Sequence, residues 1–278
     1  MLSIEAIIGY ASHIIGPCEL EEDQSGEYRT SSVLRLRGAD GGRWVAKRHR
    51  TRARYEAELA AYQKWAPAMG EYAPRLRGYD DEGRILVLSA LSGEAVLLGD
   101  AESHRRAGAA LRLLHEAEPA RPWDEFQLTK LAQFEDLAPR ASQLLPVEVV
   151  DFVLTRIFAL AELDRAPVRV PCHGDYTPRN WLVDGGRLHV LDFDLARTDV
   201  WVSDLAQLDS GAWRGRPELR AAFLQGYGRI PDAEDEVVLG VCAALTATWL
   251  VVRARESGQA ALEGENRRIL GEFMKRRW

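Results

Sequence analysis

Val170-Pro171-Cys172-His173-Gly174-Asp175-Tyr176-Thr177-Pro178-Arg179-Asn180-Trp181-Leu182-Val183 is the stretch on which the fold turns. Apolar runs at both ends bound a polar loop carrying His173, Asp175 and Asn180. Gly174 permits backbone angles closed to other residues, and Pro178 breaks any helix. The pattern is strand, loop, strand. Shortly afterwards Val190-Leu191-Asp192-Phe193-Asp194 ends a further strand-like run on two carboxylates, after the turn Asp184-Gly185-Gly186. Asp175, Asn180 and Asp192 therefore converge on a strand–loop–strand hairpin. Hard oxygen donors of this kind suit Mg²⁺, which takes one or two protein carboxylates plus substrate phosphates. A remaining carboxylate can orient a hydroxyl and accept its proton.

Upstream of this stretch the periodicity changes twice. Ser32–Arg37 and Arg43–Arg48 are β-like runs joined by Gly38-Ala39-Asp40-Gly41-Gly42, a hairpin signal. A helix is predicted from about Thr51 to Ala66, with Tyr55, Leu59, Tyr62 and Ala66 on one face. A second hairpin follows, Arg75–Tyr79 and Arg84–Ser89, giving a small sheet with one helix packed on it. Beyond Leu91-Ser92-Gly93 the pattern is mainly helical. Asp100 caps a helix whose inward face is Ala107, Ala110, Leu111 and Leu114. Pro146 opens another helix at a first-turn position, with Val150, Val153, Ile157 and Leu160 inward. Val168–Cys172 and Arg187–Leu191 interrupt as short strands, and everything after Val200 reads as helix. The fold class is α+β in two lobes: an antiparallel sheet plus helix over residues 1–91, and a larger, mainly helical lobe over residues 92–278.

Composition narrows the function. The 278 residues carry 36 Lys+Arg and 42 Asp+Glu, a net charge of −6, with 46% apolar residues. These values suit a soluble globular chain and argue against a nucleic-acid-binding protein. Three scattered cysteines, Cys18, Cys172 and Cys242, read as reduced thiols in a cytoplasmic protein. The N-terminus lacks the pattern of a secretory signal. The apolar stretch Val237–Val252 is broken by Gly240 and two threonines, so it reads as a buried core helix and not a membrane span. Residues 1–90 hold 13 basic and 13 acidic side chains, which leaves the whole −6 to the remainder.

The chain resembles the aminoglycoside phosphotransferase and choline kinase family, small-molecule kinases with a protein-kinase-like fold. The match rests on His173-Gly174-Asp175, on Asn180 five residues after the aspartate, on Leu191-Asp192-Phe193-Asp194, and on Ser203-Asp204-Leu205-Ala206. The resemblance implies that Asp175 is the catalytic aspartate and that Asn180 and Asp192 hold the Mg²⁺ bridging the phosphates of ATP or GTP. It makes Asp204 a buried brace for the catalytic-loop backbone and His173 a structural partner of the backbone near Asp192. Trp44-Val45-Ala46-Lys47 resembles the strand whose lysine grips the phosphates. A strand's period of two puts Val45, a cover for adenine, on the same face as Lys47. Glu58 is the expected partner of Lys47, with Glu56 as competitor. Ser25 and Gly26, in the loop from Asp23 to Ser32, would approach the phosphates, although the loop has one glycine and no GxGxxG. Backbone groups of Ser89 and Leu91 would bond adenine.

His115 and Cys172 read as core packing. A protein kinase is disfavoured because HGD replaces HRD, DFD replaces DFG, and no APE segment closes an activation loop. Asp209, Glu218, Asp232, Glu234, Asp235, Glu236, Glu256 and Glu263 fall in the C-terminal helices, where the family forms its acceptor pocket. They point to a cationic acceptor, an aminoglycoside or similar antibiotic that phosphorylation would inactivate. Trp201, Trp213, Tyr227 and Trp249 leave open another antibiotic or a metabolite such as choline, a sugar or homoserine. A catalytically silent nucleotide-binding scaffold is the alternative of a different class. No membrane or nucleic-acid partner is expected.

Overall fold

Isoleucines at positions 4, 7, 8, 14 and 15, with Ala11, recur at helical spacing, and the Ser3 hydroxyl accepts the Ala6 N–H. In the computed structural model, which describes residues 3–26, 31–96 and 99–275, they form α1 (Ile4–Ile15). The first sheet thus carries two helices, not the expected one. It is antiparallel and five-stranded, in the order β1-β2-β3-β5-β4, with β1 (Cys18–Asp23), β2 (Ser31–Gly38), β3 (Arg43–His49), β4 (Leu76–Asp80) and β5 (Ile85–Ser89). The extra strand β1 is a run of acidic, exposed residues without the alternation that marks a half-buried strand. One face of the sheet buries Leu34, Leu36, Ala46, Ile85 and Val87 against Ile7 and Ala11 of α1. Leu86 and Leu88 on the other face join the main core, with Tyr55, Ala61 and Tyr62 of α2 (Arg52–Lys64). Lys47, one residue beyond Ala46, consequently points toward α2.

The remainder begins with β6 (Glu94–Ala95), α3 (Ala101–His115), β7 (Arg121–Pro122), α4 (Phe126–Ala141) and α5 (Val147–Phe158). Next come β8 (Val168–Cys172), β9 (Trp181–Asp184), β10 (Arg187–Val190) and β11 (Arg197–Val200). The chain closes with α6 (Ala206–Ser210), α7 (Pro217–Tyr227), α8 (Ala233–Glu256) and α9 (Ala260–Phe273). Asp100 caps α3 as expected, accepting the Ser103 N–H at 2.7 Å. Pro146 lies one position before α5, and the residues that α5 itself buries are Val149, Val153 and Ile157, with Val150 half-buried.

The strands form two small sheets, in the orders β10-β9-β6 and β11-β8-β7. The informative loop therefore does not close a hairpin of its own. It passes from β8 in one sheet to β9 in the other, and the hairpin is β9–β10. Helices α3 and α7 cross on glycine: a Cβ at Gly226 would lie 1.7 Å from the Arg105 carbonyl oxygen, and one at Gly108 2.0 Å from that of Phe223. Backbone cannot yield such distances, so these positions admit no side chain. Helix α8 is long and apolar enough to cross a membrane, but 67% of its most apolar window is buried inside the fold, as befits a core helix.

Candidate active site

Four short segments meet where the first sheet faces the β9–β10 hairpin. Lys47 of β3 places its Nζ 2.6 Å from a Glu58 oxygen and 2.6 Å from Asp192 Oδ1. Glu58, and not Glu56, is the buried partner, because α2 turns it inward beside Tyr55 and Tyr62; Glu56 is exposed and near Arg52. His49, two residues after Lys47, also reaches Glu58, at 2.8 Å. Burial opposes a charge on Lys47, yet Glu58 and Asp192 outweigh it and raise its pKa above the ordinary lysine value. Burial likewise pushes Asp192 upward, and the Lys47 ammonium more than cancels this, holding the carboxyl down at about 2.

Asp192 has a positive φ of 68°, a strained backbone for a residue with a side chain. The turn is held by its neighbours. Phe193 packs its ring 5.3 Å from Tyr62 of α2 and 4.8 Å from His173. Asp194 accepts a 2.6 Å hydrogen bond from Arg54, one turn before Glu58 on α2. Lys47–Asp192, Tyr62–Phe193 and Arg54–Asp194 thus tie the first sheet and its helix to the hairpin.

The loop between β8 and β9 is fixed from below. Asp204 accepts the backbone N–H groups of His173 at 2.8 Å and Gly174 at 2.7 Å. His115 Nε2 lies 3.1 Å from the same carboxylate, and its Nδ1 meets the Tyr227 hydroxyl at 2.8 Å. His115 is therefore part of a polar network, not packing alone. Burial raises the Asp204 pKa, but hydrogen bonding from His115 and the charges nearby reverse the sign, and the carboxyl sits below its ordinary value. His173 donates from Nε2 to the Leu191 carbonyl at 2.9 Å, next to Asp192. Gly174 has φ 78°, and a Cβ there would lie 2.3 Å from the Leu195 carbonyl oxygen, so glycine is required on two counts. Cys172 is buried in the core, where burial raises its pKa far above that of a reactive thiol.

On the opposite side, Asp175 accepts Arg179 Nη2 at 2.7 and 2.8 Å, Gln207 Nε2 at 3.0 Å and Asn180 Nδ2 at 3.1 Å. The Asn180 amide also donates to the Asp175 carbonyl at 2.8 Å, and no hydrogen bond reaches its oxygen among the described residues. Asn180 and Asp192 thus offer hard oxygen donors that fit a divalent cation such as Mg²⁺.

The predicted nucleotide contacts are only partly brought together. Val45 and Lys47 share a face of β3, opposite Leu88 and Leu86. Ser89 donates its N–H to Arg75 and its hydroxyl accepts the Arg75 N–H, both at 2.9 Å. The Leu91 carbonyl accepts Arg35 at 3.5 Å, while its N–H has no partner among the described residues. Ser25 is used within its own turn: its N–H donates to Asp23 at 2.8 Å and its hydroxyl accepts the Val33 N–H at 3.1 Å. Gly26 is adjacent, and residues 27–30 of the same loop lie outside the described residues. No described contact joins Ser25 or Gly26 to the cluster.

A family model described as "Phosphotransferase enzyme family" matches residues 24–237, a span that holds every element of this cluster. The chain belongs to that family. It is a phosphotransferase that acts on hydroxyl groups. A search of curated proteins finds no significant match. Among solved structures, a choline/ethanolamine kinase family protein from Mesorhizobium loti superposes with a TM-score of 0.72 at 20% identity, covering 97% of this chain and 92% of the other. A thermostable mutant of the aminoglycoside phosphotransferase APH(4)-Ia gives 0.73 at 13% identity, with 96% and 98% covered. The macrolide 2′-phosphotransferase MphH from Brachybacterium faecium gives 0.61 at 21% identity, again with 96% and 98%. At these identities the likeness establishes the kinase-like α+β fold.

Sequence reasoning missed Arg54, Arg179, Gln207 and the role of His115. Arg179 stood inside the quoted loop, and Arg54 lies four residues before Glu58; both were legible as positions, but not as contacts. The hollow of about 270 Å³ lined by Trp201, Arg229 and Asp235 contains none of the cluster's residues.

Proposed function

We propose that this phosphotransferase moves the γ-phosphoryl group of ATP or GTP to a hydroxyl of a small molecule, with residues 1–91 holding the nucleotide and residues 92–278 the acceptor. The observation that carries this reading is the convergence of Lys47, Glu58, Asp175, Asn180 and Asp192 on one hairpin mouth, with Asp204 bracing the loop beneath. In this reading Lys47, fixed by Glu58, meets the α- and β-phosphates, Val45 covers the base, and the Leu91 N–H is free to bond it. Ser25 and Gly26 belong to the loop that would cover the phosphates.

Asn180 and Asp192 would hold Mg²⁺, which neutralises charge on the phosphates when bound. Asp175 does the work on the acceptor. An acceptor hydroxyl replaces one of its present donors, its oxygen forms the new bond to phosphorus, the bond to the nucleoside diphosphate breaks, and the proton passes to the Asp175 carboxylate. Little more than positioning is required, because the transferred group carries most of the bond change. GDP complexes among the structural neighbours support a nucleotide co-substrate.

The antibiotic acceptor draws its support from neighbours that are aminoglycoside and macrolide phosphotransferases; a choline kinase stands among them too. An ADP-release assay with Mg²⁺, ATP or GTP and a panel of aminoglycosides, macrolides, choline and sugars tests the reading, with Asp175→Ala as blank. Turnover that the blank abolishes upholds it. Failure to bind Mg²⁺–nucleotide at all would favour the silent scaffold.

A further inference from the structure

Seven of the eight carboxylates expected to receive a cationic acceptor are ion-paired with arginine, Asp232 and Glu234 sharing Arg165. Glu218 lies 3.6 Å from Arg216, Glu234 3.2 Å from Arg165, Asp235 2.8 Å from Arg229, Glu256 3.3 Å from Arg140 and Glu263 2.7 Å from Arg255. Asp232 and Glu236 pair with Arg165 and Arg220, and Asp209 has a partner as well.

Two arginines bear on Asp175. Arg179 holds the very carboxylate that an acceptor hydroxyl must reach, and its side chain is 62% exposed. Once displaced, its guanidinium needs another anion. Arg253 projects from α8, which packs on α6, the helix that carries Gln207 to Asp175. Its guanidinium lies 5.1 Å over the Trp249 ring and is half-buried, with no ion pair or side-chain hydrogen bond among the described residues. Burial first, and then the like charge of Arg54, push its pKa below the ordinary arginine value, against the opposing pull of the Asp194 and Asp175 carboxylates. A half-buried cation that no carboxylate contacts directly gains from an anion that does, and a guanidinium fork matches carboxylate or phosphate oxygens.

We propose that the acceptor bears an anionic group, a carboxylate or a phosphate ester, near its reacting hydroxyl, and that Arg179 and Arg253 bind it. The inference rests on the kinase reading above and reverses the charge expected of the acceptor. A polycation would have to dock against two arginines and compete with arginine for the seven paired carboxylates.

The test is calorimetric titration of the whole protein, with and without saturating Mg²⁺ and a non-hydrolysable ATP analogue. The probes are matched pairs, gluconate against sorbitol and glycerol 3-phosphate against glycerol, with kanamycin as the polycation. Each anion should bind at least about tenfold tighter than its neutral twin, the worth of one charge-assisted hydrogen bond. Arg253→Gln should reduce that preference below about threefold, and Arg253→Lys should retain part of it. Arg179→Gln should act in the same direction, and serves if Arg253→Gln does not fold. Equal binding of the twins, including no binding of either, overturns the proposal, as does tighter binding of kanamycin than of gluconate. So does an Arg253→Gln variant that weakens the nucleotide analogue as much as the anions. Absence of binding by the analogue to the wild-type protein would instead sink the kinase reading, and the nucleotide-free titrations would still decide the acceptor's charge.

Discussion

The two sides of the Asp175 loop are held by different means. Beneath it, Asp204, His115, Tyr227 and two backbone N–H groups satisfy one another in the buried core. Above it, Asp175 is held by Arg179, an exposed side chain, and by Gln207 and Asn180. The first arrangement costs several groups their solvation and leaves them one geometry. The second can be exchanged partner by partner. A loop that must present one carboxylate to changing ligands needs both: a base that does not move and a mouth that does.

The largest effect that would break this contrast is catalytic. Asp175→Ala should lower kcat by roughly 10²–10⁴-fold, the worth of a positioned general base, while nucleotide affinity by calorimetry stays within about threefold. Retained turnover would remove Asp175 from the chemistry. Asp204→Ala strands two backbone N–H groups and His115 in the core and should cost about 3 kcal/mol in urea unfolding. Asp204→Asn keeps one acceptor and should cost less. A loss below about 1 kcal/mol would mean that the brace is not rigid.

A smaller effect lies in the acid limb of stability. The Asp192 pKa is depressed from an ordinary value near 4 to about 2 by Lys47 against the opposing pull of burial. Its contribution is therefore complete above about pH 4 and is lost as pH falls toward about 2. Asp192→Asn should flatten that part of the curve, and an unchanged curve would show the tie to be absent in solution. The Asp192 side chain is 44% exposed, so solvent screens the pair and the difference should stay below that of Asp204→Ala. Smallest of all, Arg179→Gln should shift unfolding stability by less than about 0.5 kcal/mol, because an exposed ion pair contributes little. A larger loss would make the upper side structural and erase the contrast.

The parts of the site that the sequence made legible are those written locally. His173 to Asn180 and Leu191 to Asp194 are short segments whose spacing carries their geometry, and Lys47 with Val45 needs only the period of a strand. Glu58 was separable from Glu56 because a helix face decides between them. Helix α1 is legible by its isoleucine spacing, whereas the acidic strand β1 has no alternation to betray it. What could not be read was pairing at a distance. Arg165 with Asp232, Arg140 with Glu256 and Arg54 with Asp194 join residues 67, 116 and 140 positions apart. A count of carboxylates in the helices thus gave their charge without the arginines paired with them. Arg253 shows the same limit: one arginine among many, whose neighbours Arg54, Asp194 and Asp175 come from distant parts of the chain.

The glycine crossing of α3 and α7 has a consequence for the chain during its synthesis. Gly108 leaves the ribosome more than a hundred residues before Gly226, an interval on the order of 5–25 s at ordinary elongation rates. Throughout it, the apolar face formed by Ala107, Ala110, Leu111 and Leu114 has no partner helix to close on. Tyr227, which completes the network under the catalytic loop, emerges with that same partner. The nascent protein therefore carries every residue proposed for phosphoryl transfer well before it can hold them in place, and a chain released early would be a client for chaperones and not a weakened enzyme.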